Sequence, residues 1–214
     1  IECDNYKNIN STDIRLNFFE KNECDILNNC YQSTIDWLKD FRKGETFKQL
    51  NEEYLSIMEY KKLWKGAPFA PIFVTCDSLV ICDGSILLIK RKNSPGKGLI
   101  AMPGGFIEAD EKIIKGITRE LYEETQIDMP EDKLLNFLRE VKVFDDPKRS
   151  TRGRIITNVG FFILDKMDKP KVMAADDADS AIWVSIKDFI NMSEKIFSDH
   201  FQIIGWFLRN YDLK

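Results

Sequence analysis

The spacing of apolar positions changes once along this chain. Residues 31 to 65 read as helices only, whereas from about residue 72 onward apolar runs of strand length alternate with helical stretches. The seam is Lys65-Gly66-Ala67-Pro68-Phe69-Ala70-Pro71, whose two prolines disfavour helix and suit a short extended linker. Beyond it, residues 72 to 82 and 85 to 91 are rich in aliphatic side chains and are separated by Asp83-Gly84, a two-residue hairpin signal. Residues 93 to 98 read as a loop and residues 99 to 102 as a short strand before a glycine pair, Gly104-Gly105. A helix rich in carboxylates then runs to a stop before Pro130, with Ile113, Ile114, Ile117 and Leu121 forming its apolar stripe. Residues 134 to 145, 155 to 164 and 181 to 184 supply further strands, and residues 186 to 190 and 196 to 210 supply helices. This order predicts an α/β fold.

Composition narrows the classes. With 214 residues, 43% hydrophobic and 12% aromatic, the chain can bury a core. No apolar run approaches the roughly 18 residues that cross a bilayer, and residues 1 to 20 lack the order of a secretory signal, so a cytoplasmic, non-membrane setting is expected. Cys3, Cys24, Cys30, Cys76 and Cys82 are odd in number and never spaced C-x2-C, which indicates neither a disulfide framework nor a zinc site. The single histidine, His200, sits at the start of a predicted helix with Ser198 or Asp199 as cap, and packing or capping is favoured over catalysis. A net charge of −4 argues against broad nucleic-acid binding but is compatible with a small anion held through metal and a few arginines.

The candidate chemistry lies on the acidic helix. Glu120, Glu123 and Glu124 fall at i, i+3 and i+4 and share one face, where like charges repel by a few tenths of a kcal/mol per pair. A divalent cation turns that repulsion into a binding site. Gly116, four residues before Glu120, either opens the helix wall to a ligand or serves packing. A loop at residues 144 to 154 carries Lys148, Arg149, Arg152 and Arg154; it reads either as a solvated basic turn or as a phosphate-binding element, since guanidinium groups bind phosphate bidentately. Residues 174 to 179 form an acidic loop explained equally by ordinary turn usage of Asp.

Gly105, Glu111, Arg119, Glu120, Leu121, Glu123, Glu124 and Ile127 resemble the Nudix box, G-x5-E-x7-R-E-U-x-E-E-x-G-U, with Gln126 in place of its last glycine. That position would take a left-handed conformation, which Gln adopts at a strain of roughly 1 kcal/mol. The resemblance implies the Nudix α/β/α sandwich with a mixed sheet. It further implies Mg²⁺ or Mn²⁺ on Glu120, Glu123 and Glu124, a main-chain ligand at Gly104, and an Arg119–Glu111 ion pair fixing the helix. By the same resemblance the basic loop faces the substrate through Arg149, Arg152 and Arg154, and a carboxylate of the acidic loop serves as base or metal ligand, with Asp177 chosen over Asp176 and Asp179. Lys90 and Arg91, at a strand end facing the glycine loop, are further phosphate-contact candidates, and Phe106 is a further candidate substrate contact.

Ser11-Thr12-Asp13-Ile14-Arg15 resembles the S-T-x-x-R phosphate-binding motif of nucleotidyltransferases, although a capped helix starting at Ser11 or Thr12 accounts for it as well. The order of parts resembles the bifunctional nicotinamide mononucleotide adenylyltransferase/ADP-ribose pyrophosphatase proteins. That resemblance implies a helical C-terminal remnant of a nucleotidyltransferase domain over residues 1 to 66 and a Nudix hydrolase domain over residues 67 to 214. It implies ADP-ribose as substrate, cleaved to AMP and ribose 5-phosphate, and admits a homodimer. Hydrolysis of another nucleoside diphosphate derivative and non-catalytic sensing of ADP-ribose are the alternatives.

Overall fold

The structure, a computed structural model, describes residues 17–19, 31–165 and 167–213. Ser11, Thr12, Arg15, Cys3, Cys24 and Cys30 lie outside them. The chain divides into two compact units, Ile1–Glu59 and Tyr60–Lys214.

In the first unit, helix α1 (Gln32–Phe41) is followed by α2 (Glu45–Leu63), whose last turn from Tyr60 belongs to the second unit. Aromatic side chains hold the first unit together: the Phe18 ring lies 5.3 Å from Phe47 and 6.3 Å from Phe41, and the Arg42 guanidinium sits 4.6 Å over the Phe18 ring.

The second unit is a mixed sheet between helices. Its strands are β1 (Ile72–Cys82), β2 (Ser85–Arg91), β3 (Ile100–Ala101), β4 (Gly104–Phe106), β5 (Leu138–Phe144), β6 (Arg154–Leu164) and β7 (Ala178–Ser185). The main path runs β3-β2-β1-β6-β5, with β4 pairing β1 and β7 pairing β2. Only β1 and β6 pair in parallel among these strands, in register from Ile72↔Arg154 to Cys82↔Leu164. The β1–β2 hairpin turns at Asp83 and Gly84, with φ of 45° and 61°, as Asp-Gly predicts.

Side-chain alternation along β1 serves both faces, as a strand period of two requires. Leu79 and Ile81 pack with Phe161, Ile203, Ile204 and Phe207 on the side of α6 (His200–Asn210). Cys76, Val80 and Cys82 pack with Ile117 and Leu121 of α3 (Ile113–Thr125) on the other side. Ile117 and Leu121 are fully buried, which stabilises the docked helix by about 1.5–3 kcal/mol for each side chain. Gly160 of β6 permits that docking, since a Cβ there would meet Ile117 Cγ2 at 2.6 Å. The α/β/α sandwich with a mixed sheet therefore stands as expected.

The structure moves some predicted boundaries. The expected strand over residues 134 to 145 starts only at Leu138, because Pro130 opens a short helix, α4 (Glu131–Leu135), with Glu131 and Asp132 in its first turn. The glycine pair, expected as a loop, forms β4, with Gly105 opposite Cys76. Residues 186 to 189 form α5 (Ile186–Phe189). The C-terminal helix begins at His200 rather than 196: Ser198 has φ of 52°, which breaks the helix, and the Asp199 side chain makes no capping bond.

Candidate active site

Helix α3 carries the acidic face because its apolar stripe fixes its rotation. With Ile117 and Leu121 turned into the core, Glu120, Glu123 and Glu124 open on one cavity of about 280 Å³. Gln126 terminates the helix in the left-handed region, φ 41° and ψ 43°, where its N–H bonds the Tyr122 carbonyl at 2.9 Å. Gln thus takes the conformation that glycine would take, and the carboxylates upstream keep their helical spacing.

The β3–β4 bend brings backbone against the carboxylates. Gly104 N–H donates to Glu124 Oε2 at 2.8 Å, and a Cβ on Gly105 would lie 2.5–2.6 Å from the Glu120 carboxylate. Only glycine permits this approach. Gly116 has a packing role: a Cβ there would meet Cys76 Sγ at 2.9 Å and Glu111 Oε2 at 3.0 Å.

Arg119 organises the acidic side. It donates to both Glu111 oxygens, at 2.8 and 2.9 Å, to Glu120 and Glu123 at 2.8 Å each, and to the Phe106 carbonyl at 3.1 Å. Its hydrogen bonds hold Glu111 below the usual carboxylate range. Burial works the other way on the cavity carboxylates. It pushes Glu120 up to about 7 against the pull of Arg119, and Glu124 up to about 8 against the Gly104 N–H.

The same cavity also has basic and aromatic lining. Arg91, Phe106, Arg149 and Arg152 line the cavity, as do Asp176 and Asp177. The structure spreads the predicted basic loop over different tasks. Arg149 is locked in a bidentate pair with Asp199, at 2.9 and 3.0 Å, and Ser198 Oγ donates to its carbonyl at 3.0 Å, which pins the loop to the start of α6. Arg154 bonds the Asp145 carbonyl and does not line this cavity. Arg91 Nε donates to the Pro95 carbonyl at 2.9 Å, and its guanidinium lies 4.3 Å over the Phe197 ring. In the acidic loop, Asp177 accepts from Asn93 Nδ2 at 2.9 Å, whereas Asp179 pairs with Lys90 at 3.1 Å away from the cavity.

Asp77, Asn93 and His200 are among the cavity residues that the sequence does not single out as part of the site. Asp77 is buried within β1, is hydrogen-bonded by the Thr157 hydroxyl, and is shifted upward by burial. A lone carboxylate in a mostly apolar strand was the available signal. Asn93 carries no such signal. His200 is buried, its Nδ1 accepts the Met102 N–H at 3.0 Å, and burial lowers it to about 3, so it is a neutral imidazole packed at the cavity lining, in keeping with the packing role expected of it.

Among the described residues no three His, Cys, Asp or Glu side chains are grouped closely enough to hold a metal ion. The Arg119 Nη1 group sits between Glu120 and Glu123 and supplies positive charge there. The donor chemistry nonetheless fits a hard divalent cation: Glu120, Glu123 and Glu124 are all-oxygen donors on one cavity, and two of them are buried without enough cationic neighbours to ionise at their ordinary value.

Comparison with known proteins agrees with this architecture. The sequence model of the NUDIX domain matches residues 74–207. An ADP-ribose pyrophosphatase of Methanocaldococcus jannaschii is 38% identical over 136 residues, which cover 64% of this chain and 73% of that protein. An ADPR responsive transcriptional repressor, NtrR, of Acinetobacter baylyi is 26% identical over 157 residues, covering 72% of this chain and 58% of that protein. The crystal structure of a bifunctional NMN adenylyltransferase/ADP ribose pyrophosphatase from Francisella tularensis, complexed with AMP and a Mn ion, superposes with a TM-score of 0.91 at 41% identity. That match covers 98% of this chain and 63% of the Francisella chain, so the present chain spans less than two thirds of its length. The chain belongs to the NUDIX family and is similar to an ADP-ribose pyrophosphatase.

Proposed function

We propose that the cavity hydrolyses the diphosphate of ADP-ribose to AMP and ribose 5-phosphate. The observation that carries this reading is that Glu120, Glu123 and Glu124 line one cavity of about 280 Å³ together with Arg91 and Arg152. A diphosphate has two sets of anionic oxygens and suits a site that combines metal-binding carboxylates with guanidinium groups. A divalent ion, Mg²⁺ or Mn²⁺, held by Glu120, Glu123 and Glu124 with the Gly104 main chain, would supply charge neutralisation at the diphosphate and a more acidic water.

The chain's own residues do the remaining work. Glu111 and the Phe106 carbonyl hold Arg119, which keeps the acidic face in register with the β4 bend. Asp177, oriented by Asn93, takes the proton of the attacking water. Arg152 and Arg91 bind the diphosphate, and Phe106, 36% exposed, offers a ring face to the adenine. Arg149 serves through its ion pair with Asp199, which keeps the basic loop over the cavity.

The similarity to the Francisella protein supports a further part of the proposal: residues 1 to 66 are the C-terminal portion of a nucleotidyltransferase domain. The test is incubation with Mg²⁺ and a panel of ADP-ribose, NADH, nucleotide sugars and dinucleoside polyphosphates, followed by product chromatography. AMP and ribose 5-phosphate in equal amounts from ADP-ribose, ahead of the other compounds, is the expected result. Preferential cleavage of another diphosphate would replace the substrate, and tight binding of ADP-ribose without cleavage would favour a sensor like the Acinetobacter repressor.

A further inference from the structure

Arg152 carries a charge that no carboxylate of the described residues pairs directly, Asp77 favouring it only from beyond ion-pair distance. Its guanidinium lines the cavity, its Nε is buried with no hydrogen-bond partner, and no ion pair among the described residues includes it. The neighbouring arginines differ: Arg119 and Arg149 are paired with carboxylates. Burial, together with Arg91 and Arg149 nearby, makes the Arg152 charge costlier still. A half-buried cation whose Nε is buried and unbonded, with no ion-pair partner and lining a cavity, implies that the anion comes with the ligand.

Aromatic rings take the place of a carboxylate around Arg152. Its guanidinium lies 5.1 Å from the Phe106 ring centre and 6.0 Å from that of Tyr60. Phe73 of β1 joins the two, 5.8 Å from Tyr60 and 5.9 Å from Phe106, and Trp64 backs Phe73 at 5.0 Å. Ring faces attract a guanidinium and shield it from water while leaving its N–H donors unused. Tyr60 lies in the last turn of α2, outside the residues 74–207 that the family model matches and before the proline linker.

We propose that Tyr60 is a positioning residue of the cleft: with Phe106 it cradles the Arg152 guanidinium and holds it oriented, without a protein anion, for an anionic oxygen of the substrate. The proposal rests on the reading that this cavity receives a diphosphate. It extends the hydrolase site across the linker into the preceding helix.

The test uses the full chain and inorganic pyrophosphate, titrated calorimetrically without divalent metal, with unfolding midpoints measured alongside. Tyr60→Leu is expected to weaken pyrophosphate binding about tenfold, Tyr60→Met similarly with less loss of packing, and Tyr60→Phe by less than about twofold because the ring is retained. In an Arg152→Ala background, Tyr60→Leu should cost no further affinity, whereas Trp64→Leu should lower stability and leave pyrophosphate affinity within about twofold of the parent. The proposal is overturned if the unmodified chain does not bind pyrophosphate, if Tyr60→Leu and Tyr60→Met bind it like the parent, or if Tyr60→Leu weakens binding equally with and without Arg152. Failure of the hydrolase reading has a separate signature: pyrophosphate binds, Tyr60 matters, and ADP-ribose yields no AMP.

Discussion

Glu120 and Glu124 are held back from ionising by burial, and this couples folding, pH and metal. A free glutamate ionises near 4.5, whereas these two retain protons up to about 7 and about 8 in the folded chain. Between those limits the folded state binds more protons than the unfolded one, so stability without metal falls as pH rises from about 5 to about 8. A divalent cation needs both groups ionised, so its binding releases protons and tightens over the same interval. The rise in unfolding midpoint on adding Mg²⁺ should therefore be larger at pH 8 than at pH 6; an equal or smaller rise would contradict the shifts. Asp77 follows the same logic. Because burial favours its protonated form, Asp77→Asn should fold with near-parental stability, while Asp77→Ala leaves the Thr157 hydroxyl only the long contact to the Thr75 carbonyl at 3.5 Å and costs about 1–3 kcal/mol in denaturant unfolding.

Helix α3 is the element on which the site depends. Its apolar stripe was legible because spacing alone puts Ile117 and Leu121 on one side and the three glutamates on another. Leu121→Ala should cost about 2–5 kcal/mol, read from urea unfolding, since the side chain is fully buried between α3 and the sheet. Gln126→Gly should instead stabilise by about 0.5 kcal/mol, relief of the left-handed strain outweighing the added freedom of the unfolded chain; a loss of stability would show that Gln126 makes a compensating contact. The β1–β2 hairpin and strand β6 were equally legible, the first from Asp-Gly and the second from its aliphatic run. Strand β4 and helix α4 were not. A three-residue strand of two glycines and a phenylalanine has no periodicity to read, and α4 announces itself only by Pro130 and two acids within an apolar stretch. The division of labour among arginines was hidden for another reason: nothing local distinguishes Arg149 from Arg152, and only the arrival of Asp199, fifty positions later, neutralises the first and not the second.

For the molecule as a whole, the box supplied the acidic lining and the fold, while the basic lining is assembled from β2, the loop before β6 and the start of α6, segments brought together only by the sheet. Site geometry of this kind exceeds what sequence spacing carries, because each contributor is separated from the next by tens of residues. The proposed hydrolysis requires that the carboxylates on α3 bind a divalent ion. The direct measurement is AMP release from ADP-ribose as Mg²⁺ is titrated into the parent chain and into Glu124→Gln. The account predicts saturable activation of the parent, abolished by chelator, and a maximal rate at least about 100-fold lower in Glu124→Gln with an unchanged fold by circular dichroism. Cleavage independent of added Mg²⁺ or Mn²⁺ in chelator-treated protein, or a Glu124→Gln rate close to that of the parent, would contradict it.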